Sequence, residues 1–306
     1  MKKTFYSNGK LLITSEYVVL DGAKALALPT KKGQNLVVED GNDKQITWKS
    51  YDSDGSVWFE DIILFSEITT TPNLEIAPSV KNTLVRILYE AFQLNPMCID
   101  SDGYKIETHL TFPRLWGLGT SSTLINNIAQ WLKIDAYVLL KNSFGGSGYD
   151  IACAQNPTPI RYHLENNLPK IETILFNPDF KNKIWFVYLN EKQSSKSAIA
   201  AYKSKGNSGK IIPQFDALTA MILHSENKET FTTALEKHEV LMGNLLEMQP
   251  IKERLFHDFE GTLKSLGAWG GDFIMAVAAN DPTGYFKRKG YETVIPYEEM
   301  ILGEAF

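Results

Sequence analysis

The sequence predicts an α+β protein of two domains. At 306 residues the chain exceeds what a single core usually organises, so two domains are the expected arrangement. Short strand-like runs separated by turns fill much of the first half, with helix-period stretches among them. Beyond Pro169 the pattern changes to one buried strand followed by largely helical segments. A boundary near residue 170 therefore separates 1–170 from 171–306. No low-complexity linker marks it, and no internal repeat is present.

In chain order, Leu11–Leu20, Ala25–Leu28, Gln34–Val38 and Gln45–Lys49 read as strands. Residues 81–93 place Leu84, Ile87, Leu88 and Phe92 on one face, the period of a helix. From 104 to 112, Tyr104, Ile106, Thr108 and Leu110 alternate with Lys105, Glu107, His109 and Thr111, which is strand spacing. Leu124, Ile125, Ile128, Ala129 and Leu132 return to helical spacing over 120–132, and Ile160–Leu164 reads as a further strand. In the second half a buried strand is expected at 183–189 and helices over 194–203 and 213–247. Ile251, Leu255, Phe259, Leu263 and Leu266 continue at helical intervals up to the turn GAWGG. The apolar run Phe273–Ala279, a short helix near 281–288 and a strand at 291–296 complete the chain.

Hydrophobic residues make up 43% and charged residues 22%, as in an ordinary soluble protein. The net charge of −5 and the scattered lysines argue against a nucleic-acid-binding surface. No stretch approaches the ~20 apolar residues of a membrane span. The N-terminus is interrupted by Ser7, Asn8, Lys10, Ser15 and Glu16 and lacks a small-residue cleavage site, so it does not read as a signal peptide. Cys98 and Cys153 have no metal-ligand spacing and fit a reduced, cytoplasmic compartment. The histidines form no ligand cluster; His224, His238 and His257 read as surface or partly buried positions in helical stretches.

The segment PRLWGLGTSSTLINNIAQWL, 113–132, runs from a strand through glycines into a helix start. Thr120, Ser121 and Ser122 stand where an N-cap belongs, their oxygens able to accept the first free N–H groups. Such a terminus is either an ordinary capped helix after a tight turn or an anion cradle, in which Gly117 and Gly119 admit a phosphate to the backbone. The loop matches neither the P-loop nor the dinucleotide fingerprint. Asp150 follows Gly145, Gly146 and Gly148, and is either a helix cap or a carboxylate that takes a proton from a substrate hydroxyl. KSLGAWGGDFIMA, 264–276, reads by itself as a helix-turn-strand corner.

Together these segments resemble the GHMP family of small-molecule kinases. SNGKLLITSEYVVLDG (7–22) resembles its APGK-like opening, PRLWGLGTSST (113–123) its P-x-x-x-G-L-G-S-S-A phosphate loop, and KSLGAWGGD (264–272) its G-A-G-x-G loop, in the family's order. GSGYDIA (146–152), the Glu16-Tyr17 pair within Gly9–Leu20, and more weakly LNEKQSSKSAIAAYK (189–203) are similar to the mevalonate-pathway kinases within it, phosphomevalonate kinases among them. The resemblance implies an N-terminal domain like the second domain of ribosomal protein S5 and a ferredoxin-like C-terminal domain. It implies transfer of the γ-phosphoryl of ATP, with Mg²⁺, to a small acidic metabolite such as mevalonate or phosphomevalonate. It implies no nucleic-acid or membrane partner, and a monomer or homodimer.

Residue by residue, the resemblance implies that Pro113, Gly117, Leu118, Gly119, Thr120, Ser121 and Ser122 wrap the ATP phosphates, with the Ser121 hydroxyl on Mg²⁺. Asp150 matches the family's catalytic aspartate and Lys10 its charge-stabilising lysine. Glu16, Tyr17, Ser147, Gly148, Gly267, Ala268, Gly270 and Gly271 match its substrate-side positions. The chain departs from the pattern at Asn8, where proline is usual, and at Trp269, whose ring replaces a loop glycine and is expected to narrow the site or stack on a ligand. Between Ser121 and Asp150 the helix that carries an acidic Mg²⁺ ligand in the family has no counterpart beyond Asp135. These departures leave a non-catalytic ligand-binding or regulatory protein as an alternative. Diphosphomevalonate decarboxylase, which shares the fold and ATP, is another, though GSGYDIA favours a kinase.

Overall fold

The structure is a computed structural model that describes residues 2–72, 79–191, 195–204, 209–269 and 272–303; the side chains at 98, 195–198 and 201 are outside this description. The expected surroundings of Cys98, and much of the 189–203 match, therefore fall outside it, whereas Cys153 is a buried free thiol. Packing divides the chain into two compact units. The first comprises Met1–Gly9, Lys32–Arg114 and Leu118–Gln155; the second comprises Lys10–Lys31, Leu115–Gly117 and Asn156–Phe306. The sequence-based division at 170 has one cut, while this packing passes the chain between units several times.

β1 (Lys3–Leu12) ends well before Leu20, where a strand was expected to run. Ser15 and Tyr17 both have φ of 62°, and Val18–Asp21 forms a 3-10 turn. β2 (Ala25–Asp40) unites two expected strands into one of 16 residues. It stays continuous through Gly33 because β1 passes close by: a Cβ there would lie 2.2 Å from the Ser7 carbonyl oxygen.

In the first unit, β3 (Gln45–Tyr51) pairs antiparallel with β4 (Val57–Leu64) and parallel with β5 (Tyr104–Leu110). β5 in turn pairs antiparallel with β2, from Gln34 opposite Leu110 to Asp40 opposite Tyr104. Strand alternation puts Leu36, Val38, Ile46, Trp48 and Ile106 on one face, in one core with Leu84, Leu88, Ile125, Ile128 and Leu139. Those helical residues belong to α2 (Val80–Leu94), α3 (Thr120–Leu132) and α4 (Ala136–Ser143); α1 (Phe65–Thr69) and α5 (Tyr149–Gln155) complete the unit. α2 and α3 lie where the apolar period placed them. β4 and α4 had no legible period of their own.

The second unit contains β6 (Ile160–Glu165), which pairs with β2 at Ala25–Ala27 and with β7 (Leu168–Thr173). Its other sheet is built from β8 (Ile184–Tyr188), β9 (Thr262–Ser265), β10 (Phe273–Val277) and β11 (Val294–Pro296), in the order β11-β8-β10-β9, all antiparallel. Helices α6 (Ser195–Ser204), α7 (Ile212–Leu223), α8 (Lys228–Leu246) and α9 (Ile251–Leu255) lie between β8 and β9. α10 (Thr283–Arg288) precedes β11, and α11 (Tyr297–Met300) follows it. Strand-helix-strand-strand-helix-strand with this order is the ferredoxin-like arrangement expected of the second half.

Two expected helices are shorter than read. The 213–247 helix breaks at 224–227, where Asn227 caps α8 by accepting the Thr230 N–H at 2.9 Å. The helical interval from Ile251 to Leu266 holds only through Leu255; Leu263 lies on β9, whose four residues are all buried. A strand buried on both faces has no solvent face to impose alternation, so its spacing imitates a helix.

α3 is seated by polar groups rather than by apolar contact alone. The Asn126 amide donates to Ser7 Oγ at 2.8 Å, and Ser7 Oγ donates to Asn127 Oδ1 at 2.7 Å. The Asn127 amide donates to the Gln34 carbonyl at 2.9 Å, and Gln155 donates to Asn126 Oδ1 at 2.9 Å, linking α5. All but Gln155 are fully buried, so each lost partner leaves a desolvated polar group behind. Asn127→Leu should therefore destabilise the protein by about 2–4 kcal/mol, read from urea unfolding midpoints at constant m.

Candidate active site

The hydroxyl-rich loop leads from β5 to α3. Gly119, with φ of 100°, occupies the N-cap position, and no side chain caps the helix. The expected capping by the Thr120-Ser121-Ser122 run is absent. Ser122 Oγ instead donates to the Gly119 carbonyl at 3.0 Å, and Thr123 Oγ1 faces the same carbonyl at 2.9 Å and Gln34 Oε1 at 2.8 Å. These hydroxyls bond backward, so the first-turn N–H groups receive no side-chain acceptor and stay available to an anion. Ser121 and Thr120 are half-buried at that turn, as is Pro113. Ser122 and Leu118 are buried, so of these two only backbone atoms can serve a ligand.

α5 packs against α3 in the same unit and carries Asp150 in its first turn. Asp150 is half-buried and is not the helix cap: it is the second helical residue, and its Oδ1 accepts the adjacent Ile151 N–H at 3.2 Å. Gly148, buried together with Ser147, starts the helix by accepting the Ala152 N–H at 3.1 Å. Among the described residues nothing lies within 4 Å of the Cβ positions of Gly145 and Gly146, so the space beside these two glycines is open. Asp135 is no metal ligand candidate: it caps α4, accepting the Tyr137 and Val138 N–H groups at 2.7 and 3.2 Å. Among the described residues no group of three or more His, Cys, Asp or Glu could hold a metal ion.

In the second unit, Lys10 Nζ donates to the Gly117 carbonyl at 2.9 Å, so the lysine of the first motif grips the first glycine of the second. Gly117 has φ of 68°, and a Cβ on it would sit 2.6 Å from the Asp272 carboxylate. A side chain there would have to push the Asp272 carboxylate aside and adopt a left-handed backbone that glycine takes without strain. Asp272 also lies beneath Gly267, 3.2 Å from its Cβ position. Tyr188 Oη donates to the Leu115 carbonyl at 3.2 Å, and Trp116 sets its edge against Phe273 with centroids 5.4 Å apart. Residues 115–117 are thus strapped to β8, β10 and Lys10. Asp272, the last residue of the segment that carries the third motif, was not legible as part of this arrangement.

Three expectations about the second unit are corrected. Glu16 is not at a substrate surface: it is 1% exposed and ion-paired with Lys264, which also donates to the Ser265 carbonyl and lies 3.4 Å from Glu239. Burial pushes the Glu16 carboxyl up to about 7, an effect that the Lys264 charge only partly offsets. His238, fully buried and not a surface residue, accepts the Ser15 N–H on Nε2 at 2.8 Å. Burial, assisted by the Lys264 charge, holds its imidazole well below the usual range, which agrees with a neutral acceptor ring. Tyr17 is likewise buried, its hydroxyl donating to the Ala268 carbonyl at 2.8 Å.

Trp269 does not line a ligand site. Its ring is 2% exposed and packs with Tyr17, Val18, Tyr202, Phe215 and Met242, its Nε1 buried without a partner. The backbone there has φ of 55°, the conformation for which a glycine would be the ordinary choice. Burying the indole, worth about 2–3 kcal/mol, offsets that strain. Gly267 and Ala268 are half-buried, and Gly270 and Gly271, which also match substrate-side positions, lie outside the described residues.

No protein-family model and no curated protein matches the sequence. Solved structures do. The mevalonate kinase of Methanococcus jannaschii matches with a TM-score of 0.70 over 96% of each chain, at 17% identity. The phosphomevalonate kinase of Streptococcus pneumoniae, in complex with phosphomevalonate and AMPPNP, matches at 0.68 over 98% of each chain and 15% identity. Lactococcus lactis galactokinase, complexed with galactose, matches at 0.69 over 99% of this chain and 94% of that one, at 12% identity. The chain has the fold shared by these GHMP kinases, as its motifs implied.

The buried charges make a pH test possible. Glu16 has a folded pKa above its unfolded value, so the folded state binds its proton more tightly. That contribution is complete below pH ~4.5 and is lost as pH rises to about 7. Glu16→Gln lacks this dependence. Its unfolding free energy relative to wild type should therefore gain up to about 3 kcal/mol between pH 5 and pH 8, measured by urea unfolding at both values.

Proposed function

We propose that the protein is an ATP-dependent small-molecule kinase, transferring the γ-phosphoryl of ATP to a hydroxyl or phosphate oxygen of a small acidic metabolite, with mevalonate and phosphomevalonate the leading acceptors. The observation that carries this reading is the α3 N-terminus, which lacks a side-chain cap and follows left-handed Gly119. The Ser122 and Thr123 hydroxyls are turned back on the backbone, and no side chain caps the N–H groups of the first turn. The fold supports it, although a fold by itself never selects a substrate.

The roles follow from placement. Backbone N–H groups from Gly119 to Ser121 would cradle the phosphates, and Lys10 would bring a positive charge to the same loop through the Gly117 carbonyl. Asp150 would accept the acceptor's proton, its charge favoured by the first turn of α5. The donor present suits Mg²⁺ carried in with the nucleotide: the Ser121 hydroxyl in the first turn of α3 would hold it, in place of an all-protein cage. When bound, the ion would neutralise charge on the phosphate oxygens.

A second reading, a binder without turnover, draws on one observation: α4 carries no acidic residue, and Asp135 is used as its cap. A panel of mevalonate, phosphomevalonate, homoserine and sugars, with ATP and Mg²⁺ and ADP release as the signal, separates the two. Asp150→Asn should fold normally and keep AMPPNP affinity while kcat falls by about 10²–10⁴-fold, and Lys10→Met should lose turnover in the same way. Gly119→Val should abolish AMPPNP binding measured by calorimetry. Wild-type turnover by Asp150→Asn sinks the base assignment, and AMPPNP binding with no acceptor ever phosphorylated leaves the binder reading in its place.

A further inference from the structure

Ser15 and Tyr17, on either side of Glu16, both have positive φ, and Tyr17 at φ 62° and ψ −52° lies outside the regions an aromatic residue ordinarily occupies. Such strain persists only where the surroundings over-determine it. They do so here from several sides. The Ser15 N–H is held by His238 Nε2 at 2.8 Å, and Ser15 Oγ donates to the Lys24 carbonyl at 2.7 Å. Glu16 is pinned by the buried Lys264 ammonium. The Tyr17 ring stacks on Tyr202 with centroids 5.5 Å apart, and the Tyr202 hydroxyl is itself anchored to Asp21.

The strained backbone aims one polar atom at the loop of the third motif. Tyr17 Oη donates to the Ala268 carbonyl at 2.8 Å, between two left-handed residues, Gly267 at φ 63° and Trp269 at φ 55°. That loop otherwise closes on itself through the Trp269 N–H to the Leu266 carbonyl at 3.2 Å. We propose that Tyr17 is a positioning residue, its phenol setting the backbone of the Leu266–Trp269 loop from the strained end of the first motif. A packing role alone would be filled as well by phenylalanine, since ring burial and the stack on Tyr202 would survive. The hydroxyl is the part of Tyr17 that bonds the loop backbone, at the Ala268 carbonyl, while its ring packs in one core with Trp269.

The effect on turnover rests on the kinase reading; the effect on the loop does not. Tyr17→Phe should keep a wild-type melting temperature within a few degrees while the Leu266 and Trp269 amides lose about two- to tenfold of their protection in hydrogen–deuterium exchange. With an acceptor that turns over, kcat should fall by about the same factor while the KM for ATP stays within about twofold. Tyr202→Phe is the control, because it removes from the same core a phenol that bonds Asp21; its exchange at Leu266 and Trp269 should match wild type. Unchanged protection in a folded Tyr17→Phe protein overturns the proposal, as does equal loosening by Tyr202→Phe, which would mark a general softening of the core. If wild type binds no AMPPNP, the kinase reading fails by itself, and the exchange result still decides the role of Tyr17.

Discussion

The Lys264 ammonium is completely buried, and the second unit is organised around keeping it satisfied. Removing such a charge from water costs several kcal/mol, and only close, well-directed partners offset it. Glu16, Glu239 and the Ser265 carbonyl supply them, while Glu239 also accepts the Ser265 N–H and hydroxyl at 3.1 and 2.6 Å. One charge thereby brings together the segment after β1, the strand β9 and the helix α8. The positive φ values at Ser15 and Tyr17, the buried neutral His238 and the tie from Tyr17 to Ala268 all follow from where Glu16 has to be.

The first unit handles buried polarity in the opposite manner, with neutral groups. Ser7, Asn126, Asn127 and Gln34 satisfy one another beneath α3, with no charge to desolvate. Every member has a partner, and this makes such a network directional: α3 has one rotation and one height over β1 and β2 at which all the bonds close. The first turn of α3 is fixed in consequence, with Ser122 and Thr123 bonded back to Gly119 and no side chain capping the N–H groups of the turn. An anion site of this kind depends on what its hydroxyls do not do.

Much of the candidate site was legible because its chemistry is local. Two glycines between a strand and an apolar period of 3.6 specify a loop that ends at a helix start, and α3 begins at Thr120 as read. Asp150 was legible for the same reason, since glycines on its N-terminal side and small residues beyond force a short helix whose first turn holds the carboxylate. Asp272 was not, because its importance comes from a carboxylate lying 2.6 Å from where a Cβ would stand on a glycine 155 positions earlier in the chain, for which no spacing rule exists.

The sequence by itself determined the order of elements wherever one face met the core and the other met solvent, as in α2, α3 and β5, together with the three glycine-bearing motifs. Tertiary structure decided what each motif residue faces. Glu16, Tyr17 and Trp269 lie in segments that match a ligand-binding signature, yet all three are buried, because Lys264, Ala268 and the Tyr202–Phe215 core compete for them more strongly than solvent does. Leu263 and Leu266 kept a helical interval and nonetheless belong on or beside a buried strand, since burial on both faces erases the alternation that would have revealed it. A side chain's period is a property of the local backbone. Its partner is set by which distant groups must be desolvated with it, and that is settled only when the chain is packed.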